Sequence, residues 1–144
     1  MDKKQFYIQD NFIKFLSILY VKSGIDGQLI AEGDNFFKQH HRRPDMAYYT
    51  RKQILALKDD KYTVPEFVIE IISPSDNAYR INRKIVDYRK AQVKIIWHLF
   101  PEDKEVHIYR DNALKMEVKR GEDICSAEPV IKGFKLSVAD IFKQ

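Results

Sequence analysis

Residues 64–73 read VPEFVIEIIS and hold Glu70 between Ile69 and Ile71, in a run dominated by β-branched and aromatic apolar residues. Such a run is the pattern of a strand buried on both faces. A carboxylate placed there loses much of its hydration, which is costly unless a cation or hydrogen bonds replace the water. Two other residues could answer it. Asp45 follows Pro44 at the start of a second strand-like run, Arg43 to Thr50, and Lys84 lies early in the helix expected after the buried strand. If the two strands are neighbours, Asp45 and Glu70 meet at one end of a sheet. Carboxylates about 4 Å apart repel unless a cation bridges them, and hard cations that take oxygen ligands do so, chiefly Mg²⁺, with Mn²⁺ as a substitute. A helix returning over the sheet would bring the Lys84 ammonium to the same place. Asp, Glu and Lys around a metal can cleave a phosphodiester: the metal polarises the phosphate and activates water, and the lysine stabilises charge or orients the water.

Other chemistries find no support. The five glycines form no phosphate-cradling loop. Ser73 precedes a proline, so it is not in a nucleophile elbow. Cys125 is the single cysteine, which excludes an internal disulfide, and no histidine stands near it to make a nucleophile or a zinc site. His40 and His41 are adjacent, and neighbours on a strand point apart.

The elements that must position the site follow from hydrophobic period. Residues 5–22 predict an amphipathic helix with Phe12, Phe15, Leu16 and Leu19 on one stripe, ended by Gly24 and Gly27. Residues 29–37 predict a strand with a turn or bulge at Gly33-Asp34-Asn35, and 43–50 a second, entered through Pro44. Residues 51–61 read as a loop or short helical turn. After the buried strand, 64–72, Ser73-Pro74-Ser75-Asp76-Asn77 breaks the strand and caps a helix over 78–91, whose stripe holds Ile81, Ile85 and Tyr88. Strands over 93–100, 105–110 and 114–119 read as an antiparallel meander. The tail, 133–144, reads as a short strand or loop and a terminal helical turn. With no repeat or linker, residues 1–144 form one α/β domain with a mixed central sheet flanked by helices.

Of the 144 residues, 44% are hydrophobic and 32% charged, which suits a globular chain rather than a disordered one. There is neither a membrane-length apolar run nor a secretory signal, so a cytoplasmic protein is expected. The formal charge of +4 is mild, but its distribution is uneven. Arg80, Arg83, Lys84, Arg89, Lys90 and Lys94 face one acid, Asp87, and His40 to Arg43 form a second basic cluster. These are either solvated faces or surfaces for nucleic-acid phosphates, with Arg43, Arg80, Arg83 and Lys90 as the contact candidates.

Arg43-Pro44-Asp45, then Val68 to Asp76 (VIEIISPSD), Lys84 with Tyr88, and Val93 with Trp97 closely resemble the Uma2 family, also called DUF820. That family is grouped with the restriction endonucleases in the PD-(D/E)xK nuclease superfamily. The resemblance runs from about Ile8 to Phe142, including the closing Gly133-Phe134 and Val138 to Phe142. It implies a restriction-endonuclease-like fold and DNA as substrate. It also implies Asp45 and Glu70 as metal ligands, helped by the Ile71 carbonyl, and Lys84 as the catalytic lysine. The usual superfamily motif places its lysine two residues after the acid, where this chain has Ile72. In Uma2-like chains that lysine sits on the following helix, as Lys84 does. Gln9 matches the polar residue that the first helix lends to some such sites, and Ser73 is an accessory candidate. Double-strand cleavage wants two sites, so a homodimer is expected.

The bland readings are a solvated Lys84, a Glu70 in a structural ion pair with it, Tyr88 and Trp97 as core, and His98 as a satisfied sheet histidine. A nucleic-acid-binding or assembly module that keeps the fold without turnover is the alternative function.

Overall fold

The computed structural model describes residues 3–32, 35–37, 40–59, 63–111 and 115–144. Helix α1 (Lys3–Ser23) buries Ile8, Phe12, Leu16 and Leu19, spaced four, four and three residues apart, as one stripe. Gly24 stops it with φ +70° and donates its N–H to the Tyr20 carbonyl. Six strands form the central sheet in the order β1 (Gln28–Ala31), β4 (Met46–Tyr49), β5 (Phe67–Ile71), β6 (Ile95–Phe100), β7 (Glu105–Arg110) and β8 (Glu117–Arg120). Only β5 and β6 run parallel, because helix α3 (Ala78–Lys90) carries the chain back between them.

The strand period of two sorts the side chains of β5 onto two faces. Phe67 and Ile69 face α1 and the C-terminal segment, in a core with Phe12, Trp97 and Phe134. Ring centroids lie 5.0 Å apart for Phe67 with Trp97 and 5.9 Å for Phe12 with Phe134. Val68 packs on the opposite face with Ile85 and Tyr88 of α3, together with Ala47, Tyr49, Val93 and Ile96. Glu70 has the same parity as Val68 and therefore points toward α3. No described helix is long and apolar enough to cross a membrane.

Two local expectations change. Residues Arg51–Leu57 form a true helix, α2, because Thr50 and Gln53 make a reciprocal capping box. The run 29–37 is two strands, β1 and β2 (Asn35–Phe37), the latter pairing in a separate ribbon with β3 (His40–Arg42) inside the basic cluster. Gly33 and Asp34, where the bulge was expected, lie outside the described residues, as does Leu114. The tail has its expected short strand, β10 (Lys135–Ser137), and terminal helical turn, α4 (Val138–Ile141); the strand pairs in a ribbon with β9 (Ile124–Ser126), an element the hydrophobic pattern did not indicate. The ribbon buries Cys125 completely, and burial pushes its thiol up to about 12, so it carries no thiolate at neutral pH.

Gly27 lies against β4, where an added Cβ would stand 2.2 Å from the Tyr48 hydroxyl and 2.5 Å from the Tyr49 carbonyl oxygen. Because backbone cannot swing aside as a side chain can, Gly27→Ala should cost about 1–3 kcal/mol in urea unfolding. An unchanged midpoint would contradict this packing.

Candidate active site

Strands β4 and β5 are antiparallel, with Met46 opposite Ile69. One step further along that register sets Asp45 abreast of Glu70, the start of one strand beside the end of the other. Pro44 is buried and leads the chain in. Asp45 Oδ2 accepts the Ile71 N–H at 2.6 Å, so the carboxylate is tied to the backbone of the neighbouring strand. Glu70 is buried, at 4% exposure.

Helix α3 completes the enclosure. Asn77 caps it by accepting from the Tyr79 and Arg80 N–H groups, which fixes where its first turn starts. Lys84 and Tyr88, four residues apart, then lie on one face and both reach Glu70. Lys84 Nζ stands 3.5 Å from Oε2, and the Tyr88 hydroxyl donates to Oε1. Even so, burial raises Glu70 to about 7 from its ordinary 4.5, because loss of water outweighs the help of Lys84 and Tyr88, and the Asp45 charge adds to the rise. Asp45 is also raised, by burial first, with the Ile71 N–H and Lys84 opposing. The pair is short of positive charge.

His98 on β6 stands directly beside Glu70 in the parallel register and is 1% exposed. Burial, then His107 and Lys84, lower it to about 4, so it is neutral at neutral pH and does not make up the deficit.

These groups open onto a cleft of about 450 Å³. Asp45, Glu70, Ile71, Ser73, Arg80 and Lys84 line it, so six of the residues marked in the sequence converge there. Gln9 does not line it; Gln5, one helical turn earlier on α1, does. Arg83 and Lys90 are exposed on α3 and do not line the cleft, while Arg43 donates to the Glu32 carbonyl at 3.2 Å. The basic run is otherwise divided: Lys94 pairs with Glu66 at 3.0 Å, and Arg89 lies 5.8 Å from the Tyr109 ring centroid. The Ser73 N–H donates to Asp76 Oδ2 at 2.7 Å, and its hydroxyl lies 2.9 Å from that of Ser75. Tyr88 and His98, read from the sequence as core and sheet residues, both touch the site's chemistry. Glu70 and Lys84 do stand at ion-pair distance, but Asp45 turns toward them rather than away, so the cluster is more than a two-residue salt bridge.

Among the described residues no set of three or more His, Cys, Asp and Glu side chains gathers to hold a metal. The buried Glu70 and half-buried Asp45 carboxylates, with Ile71 lining the same cleft, do fit Mg²⁺, which keeps several waters and takes only one or two protein carboxylates.

The Uma2 family profile, described as "Putative restriction endonuclease", matches residues 1–139. The chain belongs to the Uma2 family. Its fold is also that of a solved relative, described as a "putative nuclease belonging to DUF820" from Anabaena variabilis ATCC 29413. The TM-score is 0.82 at 20% identity, covering 99% of this chain and 82% of that one. Among curated proteins, none matches. This Uma2 chain therefore has the nuclease-like fold, with Asp45, Glu70 and Lys84 gathered at one end of its sheet.

Glu70 and His98 pull the stability of the metal-free protein in opposite directions with pH. The stability Glu70 contributes is complete below its ordinary 4.5 and is lost as pH rises through about 7. That of His98 is complete above 6.5 and is lost as pH falls through about 4. The contributions of these two groups therefore largely offset each other where their windows overlap. Glu70→Gln keeps the shape and removes one titration, so in chelator it should gain on the parent from about pH 4.5 to pH 8, on the order of 3 kcal/mol. Urea unfolding across that range measures the gap, and a constant gap would contradict a neutral, buried Glu70.

Proposed function

We propose that this Uma2 chain is a Mg²⁺-dependent endonuclease that hydrolyses DNA phosphodiester bonds. The observation that carries the reading is the buried Glu70 beside the half-buried Asp45, with too little positive charge between them and a lysine in the same open cleft. Asp45, Glu70 and the Ile71 carbonyl would hold the ion. When bound, a divalent ion supplies Lewis acidity toward the phosphate and lowers the pKa of water at the site. Lys84 is 38% exposed at its side chain, long enough to leave Glu70 and stabilise charge developing on a phosphate in the cleft. Arg80, one turn before Lys84, holds a phosphate of the DNA backbone at the rim, with Arg83, Lys90 and Arg43 adding a more distant basic surface. Gln5 and Ser73 provide neutral polar groups on the cleft wall. His98 stays neutral, so it does not compete with the cation for the carboxylates. Two copies of the chain would bring two such sites to the two strands of a duplex, and the cytoplasm, where Mg²⁺ and DNA meet, is the expected compartment.

Cleavage of supercoiled plasmid in Mg²⁺ tests the reading. Asp45→Asn, Glu70→Gln and Lys84→Ala should each reduce the rate at least about 10²-fold. Parent-like rates in all three would reject the site and leave a binding module as the better account. In the salt dependence of DNA affinity, Arg80→Ala should reduce the log–log slope by about 0.9, the share of one phosphate contact. An unchanged slope would place Arg80 off the DNA.

A further inference from the structure

The two oxygens of Glu70 are held by partners of very different freedom. Oε2 faces Lys84, whose side chain is 38% exposed and can swing into solvent. Oε1 accepts from the Tyr88 hydroxyl, on a side chain that is fully buried between α3 and the sheet. Tyr88 cannot leave without opening the contacts of Ile85, Val68 and Ile96. Asp45 repeats the pattern, since its Oδ2 is engaged by the Ile71 N–H at 2.6 Å. Each carboxylate thus has one oxygen held by a protein donor that cannot swing away, while the two side chains also hydrogen-bond each other, a contact that a cation entering between them would replace.

We propose that Tyr88 is a positioning residue that makes Glu70 present Oε2 alone to the cleft, and so biases the site toward Mg²⁺ or Mn²⁺ over Ca²⁺. The physical reason is coordination number. Ca²⁺ takes about 6–8 oxygens and often uses both oxygens of a carboxylate, whereas Mg²⁺ wants about six in near-ideal octahedral geometry and retains waters. Two single-oxygen carboxylates meet the second demand and not the first. Groups that hold a metal ligand from behind commonly change metal affinity by about 10–100-fold when removed. The inference rests on the metal-dependent reading above, but it concerns a hydroxyl that touches neither cation nor DNA.

Calorimetric titration of MgCl₂, MnCl₂ and CaCl₂ into the parent, Tyr88→Phe and a chain with p-aminophenylalanine at position 88 tests it without any cleavage assay. The parent should prefer Mn²⁺ to Ca²⁺. Tyr88→Phe, which keeps the ring in its place, should bind Mn²⁺ about tenfold more weakly, with Ca²⁺ affinity held or raised, so that the preference narrows. The amine variant restores a donor and should restore the preference. Melting in EDTA reports folding, and if the phenylalanine variant does not fold, the amine variant decides alone: a parent-like preference supports the proposal and a lost one overturns it. Unchanged affinities in a folded Tyr88→Phe, or an equal fall for both ions, would overturn the role of Tyr88 while leaving the metal-dependent reading intact. A parent that binds none of the three cations would overturn that reading, and this one with it.

Discussion

The structure turns on two carboxylates side by side at one end of a sheet, Glu70 buried and Asp45 half-buried. Each loses hydration that a strand of valine, isoleucine and phenylalanine cannot replace. Three protein groups compensate in part: the Ile71 N–H for Asp45, and Tyr88 and Lys84 for Glu70. The compensation falls short, as the rise of Glu70 to about 7 records. A site that cannot neutralise its own charge is one that a divalent cation would stabilise.

That constraint accounts for the topology near the site. Asp45 and Glu70 can meet only because β4 and β5 are antiparallel, so that the start of one strand lies beside the end of the other. A lysine two residues after Glu70 would fall at Ile72, whose half-buried side chain lines the cleft instead. The ammonium comes from α3. The parallel pairing of β5 with β6 requires a crossover, and the crossover helix packs on the Val68 face, the face to which Glu70 points. Asn77 sets the phase of that helix, which places Lys84 and Tyr88 rather than Arg83 or Lys90 over Glu70.

Much of this was legible in the sequence, and unevenly so. Glu70 announced itself through its neighbours, since a charge in a doubly buried strand needs a reason. Lys84 is a weaker signal, because helix lysines are ordinarily solvated; its place on the helix after the buried strand makes it a candidate, and the family resemblance strengthens it. Tyr88 carried a usable signal, its four-residue spacing from Lys84, but an aromatic on an apolar stripe reads as core, and it is core as well. Alternation puts His98 on the face opposite Trp97, but that this is the face of Glu70, and that the two are neighbours, is a tertiary fact set by the β5–β6 register. Gln5 and Gln9 lie one turn apart on the same side of α1, and only the height at which that helix crosses the sheet decides between them. The T-R-K-Q capping box of α2 was present at 50–53, while β9 and β10, three residues each, are too short for any period to show.

The measurement that tests the account most directly is a crystal structure of the parent chain grown or soaked in Mn²⁺, with anomalous data. An anomalous peak is expected in the cleft bounded by Asp45 and Glu70, with Lys84 drawn away from Oε2. A cleft free of anomalous density, with Lys84 still paired to Glu70 and Mn²⁺ bound elsewhere or nowhere, would contradict it.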